Sequence, residues 1–324
     1  MTFKHTTLAA LLLRLAVLPA DLSAEARSAK AEARSAKAEA PSGKAEASAK
    51  SGLPVVAEHY YRMLAKVRPL LFWMSRDNVG GARIGWLGGQ GGARGVELLI
   101  GSDPARAPRN INRWGYIAEE LRGSTASTLG VMKQSNEESI EEAKAKLGAD
   151  AGGTHTFKAI RAIAANGQAK SDVLTLQADG DLTYRDIGTL LTLVNDNVPA
   201  TITKTVNLPS GTRPGFLLAL ADLMSNPKLK SVPYVYNGKF HTLHVKDIDP
   251  TSLRLSGRDY TRLVRARFET ENQATRERTP FEITYGTTGN LKEVPVHVMY
   301  QPKWWFQVEL FLEDGATTFW GNSK

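Results

Sequence analysis

The chain has no cysteine in its 324 residues. That excludes disulfides, a thiol nucleophile and a lipidated cysteine near the N-terminus. A chain of this length buries a sizeable core without disulfides, so their absence is compatible with export. Long apolar runs are also missing. The stretch from Leu8 to Leu18 is too short for a transmembrane helix, which needs about 20 residues, and Arg14 interrupts it. No later segment is long and apolar enough to span a bilayer. Motifs of catalysis are lacking too. There is no Gly-x-Ser-x-Gly, and the glycines between Gly80 and Gly95 are not followed by Gly-Lys-Ser or Gly-Lys-Thr. A phosphate loop also requires a helix after it, and the next segment reads as strand. No metal or cofactor is expected.

What stands at the N-terminus has the order of a secretory signal: Lys4, then the apolar run, then small residues around Ala24. Residues 1–24 are read as a signal peptide. Residues 25–52 repeat a heptad, Ala24-Glu25-Ala26-Arg27-Ser28-Ala29-Lys30 recurring as Ala31-Glu32-Ala33-Arg34-Ser35-Ala36-Lys37. Without an apolar stripe to dock it, this is a disordered spacer, or a tether drawn to anionic surfaces by charge. The chain's net charge is +8. The first 24 residues hold Lys4 and Arg14 against Asp21, and the spacer holds six basic residues against four acidic ones, which leaves +5 on the body. Spread this thinly, with no basic helix or stripe, it does not describe a nucleic-acid binder. The expected location is periplasmic or secreted.

The body, residues 53–324, reads as one unit or two halves, 53–199 and 200–324. Val56, Tyr60, Leu64, Val67 and Leu71 have helical spacing, predicting a helix over 55–75. A charged helix is expected from Ser135 or Asn136 to Leu147. Thr183 with Asp186 opens another over 184–194 in capping-box fashion. A third begins at Thr212 and Pro214 and ends near Asn226. Asn166-Gly167 and Asn237-Gly238 are hairpin turns. From Val232 onward the chain alternates: Val264, Ala266 and Phe268; Phe281, Ile283 and Tyr285; Val294, Val296 and Val298; Trp304, Phe306, Val308, Leu310 and Leu312. One-sided alternation belongs to an antiparallel sheet with one buried face. The fold class is α+β, a large curved half-barrel-like antiparallel sheet with a few helices packed on it.

Candidate sites come in pairs of readings. The loop from Asp103 to Trp114 sets Arg106, Arg109 and Arg113 beside Trp114. Guanidinium groups grip carboxylate or phosphate and an indole stacks on an apolar face; equally, the arginines pair with Asp103, Glu119 or Glu120. Trp305 and Phe311 point away from the buried face of the last strand, toward a covering helix or a ligand. His241 and His244 lie on opposite faces of a strand and cannot share a metal. His297 is expected near Glu309 or Glu282 across the sheet, and Arg265 and Arg267 near Glu282.

The helix Phe216-Leu217-Leu218-Ala219-Leu220, the hairpin Tyr236-Asn237-Gly238-Lys239-Phe240 and the strands Pro280–Ile283 and Val294–Val298 follow in a recognisable layout. It resembles secreted bacterial proteins of unknown function with a curved antiparallel sheet, and loosely the half-barrels of periplasmic lipoprotein carriers. The resemblance implies a concave sheet lidded by helices and suited to a lipid or other apolar ligand. Three functions are therefore open: a non-enzymatic binder of an apolar ligand or envelope partner; a carbohydrate-active or other hydrolase using Glu282, Glu309 and Trp305; and a structural or interaction module of the envelope. The ligand-binding candidates are Arg109, Arg113, Trp114, Trp305 and Phe311.

Overall fold

The computed structural model describes residues 52–68, 72–133, 154–179, 182–194 and 198–313. The signal peptide, nearly all of the spacer and the charged helix expected near 135–147 lie outside them. Fourteen strands form a single antiparallel sheet. The first arm holds β1 (Val55–Val67), β2 (Met74–Gly88), β3 (Arg94–Ser102), β4 (Trp114–Arg122), β5 (Thr125–Lys133), β6 (Thr154–Ala165), β7 (Gln168–Asp179) and β8 (Ile202–Asn207). The second holds β9 (Ser231–Tyr236), β10 (Lys239–Leu255), β11 (Arg258–Asn272), β12 (Arg278–Gly286), β13 (Pro295–Lys303) and β14 (Phe306–Glu313). Within each arm, sequence neighbours are sheet neighbours, and β1 pairs with β14 at the seam. The arms do not coincide with the halves read from the sequence, because β8, on the 200–324 side of that division, pairs with β7 of the first arm.

Local chemistry accounts for many of the turns. Asn166 and Gly167, and again Asn237 and Gly238, all take positive φ, the requirement of the tight turn that matches strand twist. Alternation sets the faces. Phe268, Ala266, Phe281, Ile283, Val296, Tyr300, Val308, Leu310 and Leu312 all point inward and are buried.

The stretch 55–67 corrects the sequence reading: it is strand, not helix. A period of two was present beside the period near four. Tyr61 and Met63 turn inward, 1% and 0% exposed, while Arg62 stays on the outer side. Pairing on both flanks, with β2 and β14, decides between the two periods. Much of the glycine cluster lies in strand. Gly80, Gly85 and Gly88 lie within β2, and only Gly89 to Gly92 form the turn. At Gly80 the reason is steric, because a Cβ would collide with the Gly101 carbonyl of β3.

The sheet is rolled. One cluster joins inward residues of β1, β2, β3, β4, β5, β6 and β7 to those of β9 through β14. Its centre is helix α2 (Phe216–Ser225), whose Phe216, Leu217, Leu218, Ala219, Leu223 and Met224 are buried. A helix apolar on nearly every side has to be enclosed, and each large side chain so enclosed contributes about 1.5–3 kcal/mol. The free side of β9 does not stay exposed. Arg213 bridges to Tyr234, and Val235 packs on Ala126, Ala164 and Ala169 of β5, β6 and β7. The second arm therefore laps over the inner face of the first.

Helix α1 (Ile187–Leu193) and the 3-10 turn before it lie on the other side of the sheet. Tyr184, Leu190 and neighbours cover Leu99, Trp114, Tyr116, Val131, Phe157, Leu174 and Leu176. The capping box is present: Thr183 N–H donates to Asp186 Oδ2 at 2.8 Å and Arg185 N–H to Thr183 Oγ1 at 3.2 Å. No helix among the described residues is long and apolar enough to cross a membrane.

Candidate functional site

Titratable groups with unusual surroundings gather in two places, one inside the roll and one outside. Inside, Glu119 of β4 is fully buried. Its carboxylate accepts from the Phe216 N–H at 2.9 Å and the Leu218 N–H at 3.0 Å, the first turn of α2. Burial pushes its pKa up to about 7, against the lowering effect of those amides. The residue before the helix, Gly215, packs directly against the carboxylate, where a Cβ would overlap it. The sequence puts the helix start at Thr212 and Pro214; instead it begins at Phe216, and no local side chain caps it. Orphan amides at a buried helix start need an acceptor, and Glu119 supplies it from 97 residues away.

The far part of α2 is tied by charge. Asp222, 8% exposed, pairs with Arg94 of β3 at 2.9 Å and with Arg213. Near the lapped edge, Ala126, Thr128, Ile160, Ala169, Ser171 and Val235 line a crevice of about 10 Å³, room for about one water.

Outside, Glu309 of β14 is the hub. It takes Lys66 and Gln307 on Oε1, the latter at 2.6 Å, and His297 on Oε2 at 2.9 Å. Burial works against the charge, but the bonds and charges of His297 and Lys66 outweigh it and hold the carboxyl at about 2. The His297 ring stacks on Phe311, centroids 4.7 Å apart, and Arg62 lies over the same ring. Farther along this face Glu282 pairs with Arg265 and Arg267. Glu271 pairs with Arg276 at 2.7 Å and Arg278 at 2.9 Å. His244 stands 3.9 Å from Glu271, whereas His241 stacks on Tyr234, centroids 5.0 Å apart. Along the second arm the sheet is thus mostly apolar on its inner face and ionic on its outer one.

The five residues singled out from sequence do not converge. Arg109 sits in the 3-10 turn Pro108–Asn110. The Arg113 backbone is pinned to Ser102 by three contacts, its N–H donating to Oγ at 2.9 Å and its carbonyl accepting from the amide at 2.8 Å and from Oγ at 3.2 Å. Trp114 is 1% exposed, packs on Phe157 and donates its indole N–H to the Leu182 carbonyl at 3.0 Å. Its ring is core, not a platform. In the same loop Arg106 pairs with Asp103 at 3.3 Å. Phe311 and Trp305 stand at and just before β14, which β1, β2 and β3 separate from β4. Trp304, expected in the core, is 66% exposed. The turn at 304–305 breaks the alternation, which begins only at Phe306. The sequence reading missed Glu119 as a cap; an apolar helix with no capping side chain of its own was the available signal.

No family model matches this chain, and no curated protein matches it. Among solved structures it is similar to the crystal structure of a beta-barrel-like protein of a domain of unknown function, DUF1849, from Brucella abortus. The TM-score is 0.39 at 9% identity, over 82% of this chain and 98% of that one.

Proposed function

We propose that this is an exported, non-enzymatic module of the cell envelope that acts by binding a partner on its outer surface. The observation that carries this reading is the filled interior. The space in which a carrier would hold apolar cargo is taken by α2, anchored at its start by Glu119 and farther along by Asp222, and ligand pockets ordinarily need about 300 Å³ or more. A hydrolase reading is less well supported, because Glu309 is engaged by Lys66, His297 and Gln307 and Glu282 by two arginines. A general acid or base needs a face open to substrate.

Native mass spectrometry of the protein isolated from the periplasmic or secreted fraction tests this. The expected species is shortened near residue 24 and carries no apolar passenger. A stoichiometric lipid adduct, or full-length protein confined to the cytosol, overturns the reading.

A further inference from the structure

Two neighbouring hairpin ends carry apolar side chains that nothing among the described residues covers. Register puts them side by side: Val67 opposes Met74 across β1 and β2, Val67 opposes Phe306 across β1 and β14, and the Arg68 N–H donates to the Trp305 carbonyl at 2.7 Å. Here Trp304 is 66% exposed, Phe72 62% and Met74 57%, with Trp73 and Val67 close to 40%. These are most of the large apolar side chains exposed on the described surface, and they gather at one end of the roll.

Charge says what covers them. From Lys66 to Arg76 the sequence has Lys66, Arg68 and Arg76 and no acid, and from Gln301 to Phe306 it has Lys303 and no acid. On the outer face of the second arm several basic residues are matched by carboxylates, as in the Arg265, Arg267 and Glu282 group. Arg68 Nε is buried without a hydrogen-bond partner among the described residues. Lys66 is taken by Glu309, which leaves Arg68 and Arg76 beside the apolar side chains; tryptophan and phenylalanine flanked by such cations is the composition of a surface that enters the headgroup layer of a membrane. We propose that this end docks on an anionic bilayer, with Trp304, Phe72 and Met74 entering the interface and Arg68 and Arg76 meeting phosphates. This names the partner left open by the reading above, and rests on it only for bringing a membrane within reach.

The test uses the full chain, unilamellar vesicles of phosphatidylcholine with 30% phosphatidylglycerol (about the anionic fraction needed for a clear surface potential), and pure phosphatidylcholine vesicles. Sedimentation should recover the protein with the anionic vesicles, less with the neutral ones, and less again in high salt. Trp304→Ser with Phe72→Ser should weaken binding about tenfold or more, and Arg76→Glu about fivefold. Unchanged circular dichroism checks the fold of these surface variants. Brominated lipid should quench tryptophan emission in the wild type and less in the double variant. Failure to bind anionic vesicles, or equal binding by wild type and variants, overturns the proposal. A dimer in sedimentation velocity that the double variant abolishes also overturns it, naming a second copy as the occupant. These outcomes leave the interior untouched, so they are distinct from a lipid adduct in native mass spectrometry.

Discussion

Replacing Glu119 by glutamine should change how stability depends on pH more than it changes stability itself. Burial raises the folded-state pKa from the ordinary 4.5 to about 7. Between those values the native carboxyl keeps a proton that the unfolded chain has released, so stability is complete below about pH 4.5 and is lost as pH rises through 7. At about 1.4 kcal/mol per pH unit, the loss is about 3 kcal/mol. His241 works in the opposite sense. Burial lowers it from 6.5 to about 4, so its contribution is lost as pH falls below 6.5. The wild-type profile sums the two and can look flat, and only the difference between variant and wild type isolates Glu119. Glutamine cannot ionise; it retains one acceptor but turns an amide donor toward the amides of Phe216 and Leu218, a cost of about 1–2 kcal/mol. Urea unfolding followed by circular dichroism at pH 4 and pH 8 gives the numbers. The cost of Glu119→Gln should be about 3 kcal/mol smaller at pH 8 than at pH 4. A pH-independent cost, or a larger one at pH 8, would refute the reasoning. It would mean that the helix amides favour the anion more than burial penalises it.

Other expectations concern the outer hub, the close strand approach and the outer helix. Glu309 is held at about 2, so its contribution is present above pH 4.5 and lost as pH falls through 2; Glu309→Gln should unfold at a less acid-sensitive midpoint while being less stable at pH 7. Gly80→Ala should destabilise by about 2 kcal/mol or more, since the neighbour it meets is the backbone of Gly101, and equilibrium denaturation measures this. Thr183→Ala removes the Thr183 half of the capping box and should cost about 1 kcal/mol, with proteolysis increasing first around α1.

Much of the second arm is written in alternation. Phe281, Ile283 and Tyr285, or Val308, Leu310 and Leu312, can face only one way in a strand, and the Asn-Gly pairs fix where two hairpins reverse. The cross-strand pairs His297 with Glu309 and Arg267 with Glu282 followed from the same parity. What alternation does not carry is the partner of each strand. In β1 the spacing of Tyr60 and Leu64 suits a helix as well as that of Tyr61 and Met63 suits a strand, and β2 and β14 decide. Trp304 fits the parity of its neighbours but falls in a turn that parity cannot locate. Glu119 is one acid among many until α2 comes to rest above it, so its role depends on a contact between two arms. The expected apolar cavity followed from a concave sheet; an apolar α2 and the lapping of β9 over β5 to β7 fill that space.

The order of the strands has a consequence for how the chain could be rewired. Read from β9 to β14 and on from β1 to β8, the sheet is one uninterrupted meander. In the natural order the seam must join Tyr60 to Glu313, a separation of about 250 residues, while the other ladders join strands next to each other in sequence. A circular permutant that links the end of β14 to the start of β1 and opens the chain between β8 and α2 would turn that most distant pairing into a hairpin. Every native contact would be kept and mean contact order would fall, so the permutant should fold faster at little cost in stability.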